Sequence, residues 1–106
     1  MTMINIAKDF SRTPGGRHIK DGKYSGEEFR KKLLEPLFAD RTERTKIVVI
    51  LDGVEGYPTS FLEEAFGQLA RIVGKEVCLV RFEFVSEEEP LLKEEITQYI
   101  ETSDEE

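Results

Sequence analysis

Ser60 is the residue of this chain where a transferred or bound anion is most simply placed. The segment Asp52-Gly53-Val54-Glu55-Gly56-Tyr57-Pro58-Thr59-Ser60 follows the most apolar run of the sequence and leads into a helical pattern. In open α/β sheets, ligands and partners bind at the carboxyl ends of strands, where such a segment lies. Gly53 and Gly56 supply backbone freedom, and a helix opening at Ser60 offers free amides and a dipole that favour a phosphate. No Gly-Lys-Ser/Thr follows, so this is not a Walker loop, and the dinucleotide fingerprint is absent. The simpler reading is that Ser60 caps a helix, which contributes about 1 kcal/mol. A second candidate is Pro14-Gly15-Gly16-Arg17 with Lys20 and Lys23 nearby. It reads either as an anion-facing set of amides and a guanidinium or as a solvated loop. His18 is the sole histidine, which excludes a two-histidine metal site and leaves catalysis without an assembled base and orienting acid. Cys78 reads as a small buried thiol. The acidic stretches Glu87 to Glu89 and Glu101 to Glu106 lack calcium-loop spacing. No metal and no cofactor is expected.

These residues must be carried by alternating strands and helices. Met3 to Ala7 alternates with period two and reads as a short edge strand. Phe10 to Lys23 is rich in turn formers and basic residues, and can hold a hairpin whose second strand passes through His18 and Ile19. Ser25-Gly26-Glu27-Glu28 has capping-box spacing. It opens a helix whose stripe is Phe29, Leu33 and Leu37 beside Leu34, opposite Arg30, Lys31 and Lys32, until Pro36 ends or kinks it. Lys46 to Asp52 is a continuous β-branched run, as expected of a central parallel strand covered on both faces. A second helix opens at Ser60, with Glu63 at capping-box spacing, and runs through Leu62, Ala65, Phe66, Leu69 and Val73 to Gly74. Glu76 to Val85 alternates, with Cys78, Val80, Phe82 and Phe84 on one side, and reads as a strand with one exposed face. Ser86 to Glu89 is a third capping box before an amphipathic last helix bearing Leu92, Ile96, Tyr99 and Ile100. The expected fold is α/β, a mixed and mainly parallel sheet of about four strands with three flanking helices. Residues 1–100 form the domain and 101–106 an acidic tail.

Composition narrows the function classes. The 106 residues suit one core. With 39% hydrophobic and 35% charged residues the chain is neither disordered nor membrane-spanning. Its longest aliphatic run, Ile47 to Leu51, falls far short of the roughly 18 residues of a transmembrane helix. Fifteen Lys and Arg against 22 Asp and Glu leave a formal charge of −7, which argues against a nucleic-acid footprint. One cysteine excludes an internal disulfide, and the N-terminus lacks signal-peptide blocks, so a cytoplasmic location is expected.

Val48-Val49-Ile50-Leu51-Asp52-Gly53-Val54, a short loop, and Thr59-Ser60 opening a helix resemble the centre of STAS domains, the sulphate-transporter and anti-sigma-factor-antagonist family. Lys8-Asp9-Phe10 with Thr13-Pro14-Gly15-Gly16-Arg17, Ser25-Gly26-Glu27-Glu28-Phe29-Arg30, and Tyr57 to Gly67 resemble more closely an uncharacterised bacterial and phage-associated STAS-like family. The resemblance covers most of residues 4–74. It implies a non-enzymatic regulatory module that docks a partner protein. That partner is a histidine-kinase-like ATPase or an anti-sigma-type regulator. In STAS antagonists the serine opening this helix is phosphorylated by such a kinase, and by position Ser60 matches it, with Thr59 beside it. The antagonists carry an Asp before that serine and a small residue after it, where this chain has Thr59 and Phe61, and Gln68 stands where the family tends to have a glycine. A phosphate there would add about −1.5 to −2 charges and repel an acidic partner surface. The docking residues on this reading are Gly53, Glu55, Gly56, Tyr57, Pro58 and Phe61, with Arg17 from the neighbouring loop. The alternative is a small-ligand or nucleotide sensor in which Gly53, Gly56, Arg17 and the amides at Ser60 form an anion pocket. An enzyme using Ser60 or His18 is the weakest reading. Oligomeric state is left open by the pattern.

Overall fold

The computed structural model of the chain describes residues 1–105. Three strands, β1 (Thr2–Asn5), β2 (Ile47–Ile50) and β3 (Phe82–Val85), form one sheet in the order β1-β2-β3 with both pairings parallel. The register places Ile4, Val49 and Phe84 side by side, and Ile47 beside Phe82. These side chains enter the core. The β-branched run therefore forms the central strand, as its composition requires, and the strand count is three. The second face is covered unevenly: Met3 and Glu83 are exposed and Ile50 and Val85 half-buried, whereas Val48 between Met3 and Glu83 is buried, and none of these five belongs to the core cluster.

Helix α1 (Ile6–Asp9) follows β1 directly, capped by the Asn5 side chain, which accepts from the Lys8 amide. The basic segment after it holds one short 3-10 turn at Ile19–Asp21 instead of a hairpin. Its backbone is used elsewhere. The Gly15 amide donates to the Tyr24 carbonyl, and the amides of Gly26 and Glu27 donate to the carbonyls of Gly16 and Arg17.

Helix α2 spans residues 26–38 and is capped by Ser25 as expected, its hydroxyl accepting from the Glu28 amide at 3.0 Å. Its second turn is wide: the Glu35 amide donates to the Arg30 carbonyl, five residues back. One extra residue in a turn rotates everything after it. The buried positions become Phe29, Arg30, Leu34 and Phe38, while Leu33 and Leu37 are only half-buried. Phe29 keeps its place in the expected stripe, Leu33 and Leu37 give way to Leu34 and Phe38, and Arg30, which opens the wide turn, lies inside rather than opposite. Helix α3 (residues 59–73) repeats the device, the Gln68 amide donating to the Glu63 carbonyl.

Gly74, at φ +103°, ends α3 and at once starts α4 (Lys75–Arg81). The expected long strand from Glu76 is therefore a helix followed by the four-residue β3. Val77, Cys78 and Arg81 turn inward on a helical period, whereas Leu79 and Val80 are exposed. Arg81 is 1% exposed, with its guanidinium 4.7 Å over the Phe38 ring and donating to the carbonyls of Thr45 at 2.8 Å and Leu37 at 2.6 Å. It pins the connection between α2 and β2.

Helix α5 (Leu91–Glu101) buries Leu92, Ile96 and Ile100. It begins after Pro90, so Ser86 does not cap it; the Ser86 hydroxyl donates to the Glu89 carbonyl instead. Beyond it Ser103 is buried and its carbonyl accepts from Arg71, so this part of the expected solvated tail is docked. Glu106 lies outside the described residues.

Where α2 crosses α3 the approach is tight at Gly26, where a Cβ would sit 2.5 Å from the Phe61 carbonyl oxygen and 3.0 Å from the Glu64 Cβ. An alanine at a free helix start raises helix propensity. Here Gly26→Ala is expected to lower stability by about 2 kcal/mol through overpacking, read as a fall in the urea midpoint at constant m.

Candidate functional site

The two connections that leave β2 and β3 are clamped to each other. The Leu51 amide donates to the Val85 carbonyl at 2.8 Å. The Asp52 carboxylate accepts from the amides of Glu87 and Glu88, both at 2.9 Å, while a Glu88 carboxylate oxygen accepts from the Gly53 amide at 3.0 Å. Gly53 adopts φ +86°, and a Cβ there would stand 3.2 Å from the Ala7 Cβ. Arg12 adds a third strap, its guanidinium donating to the Gly53 carbonyl and its own carbonyl accepting from the Glu55 amide. From inside, the Tyr57 hydroxyl donates to the Leu51 carbonyl at 2.7 Å. Burial, with Asp52, Glu88 and Glu89 nearby, pushes the Tyr57 phenol far above its ordinary value, so it keeps its proton.

On this base the chain presents its exposed residues. Gly53, Glu55, Gly56, Pro58 and Thr59 are exposed, and Tyr57 and Ser60 are half-buried. Helix α3 opens one residue earlier than expected, after Pro58, whose carbonyl accepts from the amides of Phe61 at 3.0 Å and Leu62 at 3.2 Å. Proline holds φ near the helical value at no entropic cost. Ser60 is therefore the second helical residue and not the cap. Glu63, its expected capping-box partner, pairs with Arg17 and Arg71. Phe61 is fully buried, with ring centroids 5.7 Å from Phe29 and 6.1 Å from Tyr57. It belongs to the core and is unavailable to a partner.

Between the two connections lies a cleft of about 200 Å³. Leu51, Tyr57 and Leu92 line it, and Asp52, Glu55, Glu88 and Glu89 bring four carboxylates to it. Arg17 is not among the lining residues. Its guanidinium donates to Glu63 at 2.6 Å and to Glu64 at 3.2 Å. The Glu63 bond holds its proton more firmly than usual, against burial. The loop glycines and Arg17 therefore do not converge on one anion pocket. His18 lies 3.7 Å from Asp21 and 3.8 Å from Glu64, and the cleft lining includes neither it nor another nitrogen base.

The sequence pattern did not reveal the ionic network where α2 crosses α3. Arg30 and Glu64 are 5% and 8% exposed, and the guanidinium meets the Glu64 carboxylate at 2.6 Å and the Glu64 carbonyl at 2.9 Å. Arg30 also donates to Glu35 at 2.8 Å. Glu63 lies alongside between Arg17 and Arg71. Wide turns often mark functional or strained helix segments, and here both wide turns carry members of this network. The only sequence trace is that Arg30 stands four residues before Leu34. Among the described residues no group of His, Cys, Asp or Glu has metal-binding geometry, and no helix is long and apolar enough to cross a membrane.

A family model described as a STAS-like domain of unknown function matches residues 25–92, which include α2, the clamped loops, α3 and both β2 and β3. No curated protein and no solved structure matches the chain.

The network sets an acid sensitivity. Burial raises the Glu63 carboxyl, but the bonds from Arg17 and Arg71 outweigh it and hold the group below the usual glutamate value of about 4.3. With the folded value below the unfolded one, the stabilisation is complete above the unfolded value and is lost as pH falls through the folded one. Glu63→Gln is expected to flatten the acid limb of a stability-against-pH curve. Glu64→Gln removes the more buried of the two carboxylates that pair with Arg30, leaving Glu35, and is expected to cost about 3 kcal/mol at neutral pH, measured by urea unfolding.

Proposed function

Because the chain belongs to the STAS-like family of unknown function, we propose that it is a non-catalytic regulatory module that docks a partner protein through residues 53–60. The observation that carries this reading is the construction of that segment. Exposed Gly53, Glu55, Gly56, Pro58 and Thr59 stand on a base fixed from three sides by Asp52 with Glu88, by Arg12 and by Tyr57. A recognition surface gains affinity when its loop is ordered before binding, since less entropy is lost on association. The same loop gathers no nucleophile, base and orienting acid. Ser60 is half-buried and Thr59 exposed at the start of the 15-residue helix 59–73, where a phosphate is electrostatically tolerated. On the STAS resemblance the partner is a histidine-kinase-like ATPase or an anti-sigma-type regulator acting in the cytoplasm, and Ser60 is the switch. The anion-sensor reading gains no support from a cleft that carries four carboxylates.

A photo-crosslinking residue at Gly56 is expected to capture one dominant partner in the source cell, while the same residue at Lys32, on the exposed side of α2, captures none. With that partner in hand, Ser60→Asp and Ser60→Ala are expected to differ at least about tenfold in affinity, equivalent to 1.4 kcal/mol. Equal affinities exclude a phosphate switch, and equal capture from both positions excludes docking through this loop.

A further inference from the structure

The cleft beside the docking loop has a chemistry of its own. Leu51 and Leu92 lie buried beneath it and the half-buried Tyr57 ring forms part of its wall, while most of its exposed lining is polar. Its four carboxylates belong to two classes. Asp52 and Glu88 are held in place by backbone amides of the opposite loop. Glu55 and Glu89 are exposed, and their carboxylates accept no hydrogen bond and form no ion pair among the described residues. Among the described residues no lysine, arginine or histidine lines the cleft. The rim continues onto a shallow groove lined by Pro90, Leu91 and Glu95, where Leu91 is 75% exposed. A negative rim, unneutralised from within the chain and continued by the exposed apolar surface at Leu91, complements a long cationic side chain whose charged head meets the rim and whose methylenes lie along that surface. An aliphatic neighbour on the same strand of partner would then meet Leu91. Phosphate-bearing ligands are repelled by the same rim.

Building on the docking reading of residues 53–60, we propose that the partner enters this cleft with an arginine or lysine flanked by aliphatic residues. The partner surface is therefore basic and apolar, and contact extends from the 52–57 loop across to residues 86–92. The charge that recognises it is already in position before binding, since Asp52 and Glu88 are set by the fold. Association is then faster at low salt, because the exposed Glu55 and Glu89 act on the encounter through solvent.

The test uses the full chain, isotopically labelled, and two short peptides of equal length. One alternates arginine with leucine, and the other carries glutamate in place of arginine. The arginine peptide is expected to shift the amides of residues 52–57 and 86–92, with an affinity that falls with added salt. It is expected to weaken at least about tenfold in the double variant Glu55→Lys, Glu89→Lys, and to be unaffected by Glu94→Lys on the exposed side of α5. Equal binding of the glutamate peptide, shifts centred elsewhere, equal loss in Glu94→Lys, or no shift at millimolar peptide each overturns the proposal. So does self-association of the chain that Lys20→Glu abolishes, since the occupant would then be a second copy. The partner captured from Gly56 separates this proposal from the docking reading. If its cross-linked segment is acidic or neutral, docking stands and the cationic cleft fails. If the arginine peptide maps to the cleft while Gly56 captures nothing, the cleft stands and the docking loop fails.

Discussion

The structure depends on one helix crossing. Helices α2 and α3 meet where Gly26 admits the Phe61 carbonyl, and the same contact buries Arg30 against Glu64. A buried ion pair is held only where its geometry satisfies the hydrogen-bonding groups that desolvation exposes. Here Glu64 supplies both its carboxylate and its main-chain carbonyl, and Glu35 takes the remaining side of the guanidinium. Both wide turns fall at this crossing: Arg30 opens the one in α2, and Glu63 and Glu64 lie in the one in α3. Among the described residues no buried side-chain polar atom lacks a partner, as a low-dielectric crossing requires.

The segment 53–60 inherits its rigidity from this arrangement. Helix α3 is fixed against α2, Phe61 is locked between Phe29 and Tyr57, and residues 53–60 are therefore tethered at their helical end. Their strand end is held by the reciprocal bonds of Asp52 and Glu88, which join the two loops that parallel strands bring side by side. The price of this clamp is a concentration of carboxylates at one edge of the sheet. The clamp satisfies only two of them, so the carboxylates of Glu55 and Glu89 remain unpaired among the described residues at that end of the STAS-like domain.

The parts of the fold that were legible in the sequence are those governed by local physics. The β-branched run Ile47 to Leu51 gave the central strand, and Ser25 with its spacing to Glu28 gave the start of α2. Gly74 marked a stop because only glycine accepts its positive φ. Capping was misread at Ser60 and at Ser86, where Pro58 and Pro90 set the helix starts instead. Residues 76–81 were misread as strand because Cys78, Val80 and Phe82 alternate. Alternation over so few residues cannot be distinguished from one helical face until neighbours decide which side is covered. The location of the candidate site, between β2 and α3, was legible from the Gly53 and Gly56 loop. Its sign was not, since Glu88 and Glu89 join Asp52 and Glu55 only through the β2-β3 pairing.

The amino-acid sequence alone determined the class of the fold, the central strand, the helix that carries Ser60 and the family, because hydrophobic periodicity, β-branching and helix signals act over a few residues. Tertiary structure decided that Arg17 and Arg30 serve the helix crossing, that Phe61 is core, and that the cleft is acidic. Those outcomes depend on which side chains meet across more than 30 positions of chain, as Arg30 meets Glu64 and Gly53 meets Glu88. One extra residue in the second turn of α2 is enough to move burial from Leu33 and Leu37 to Leu34 and Phe38.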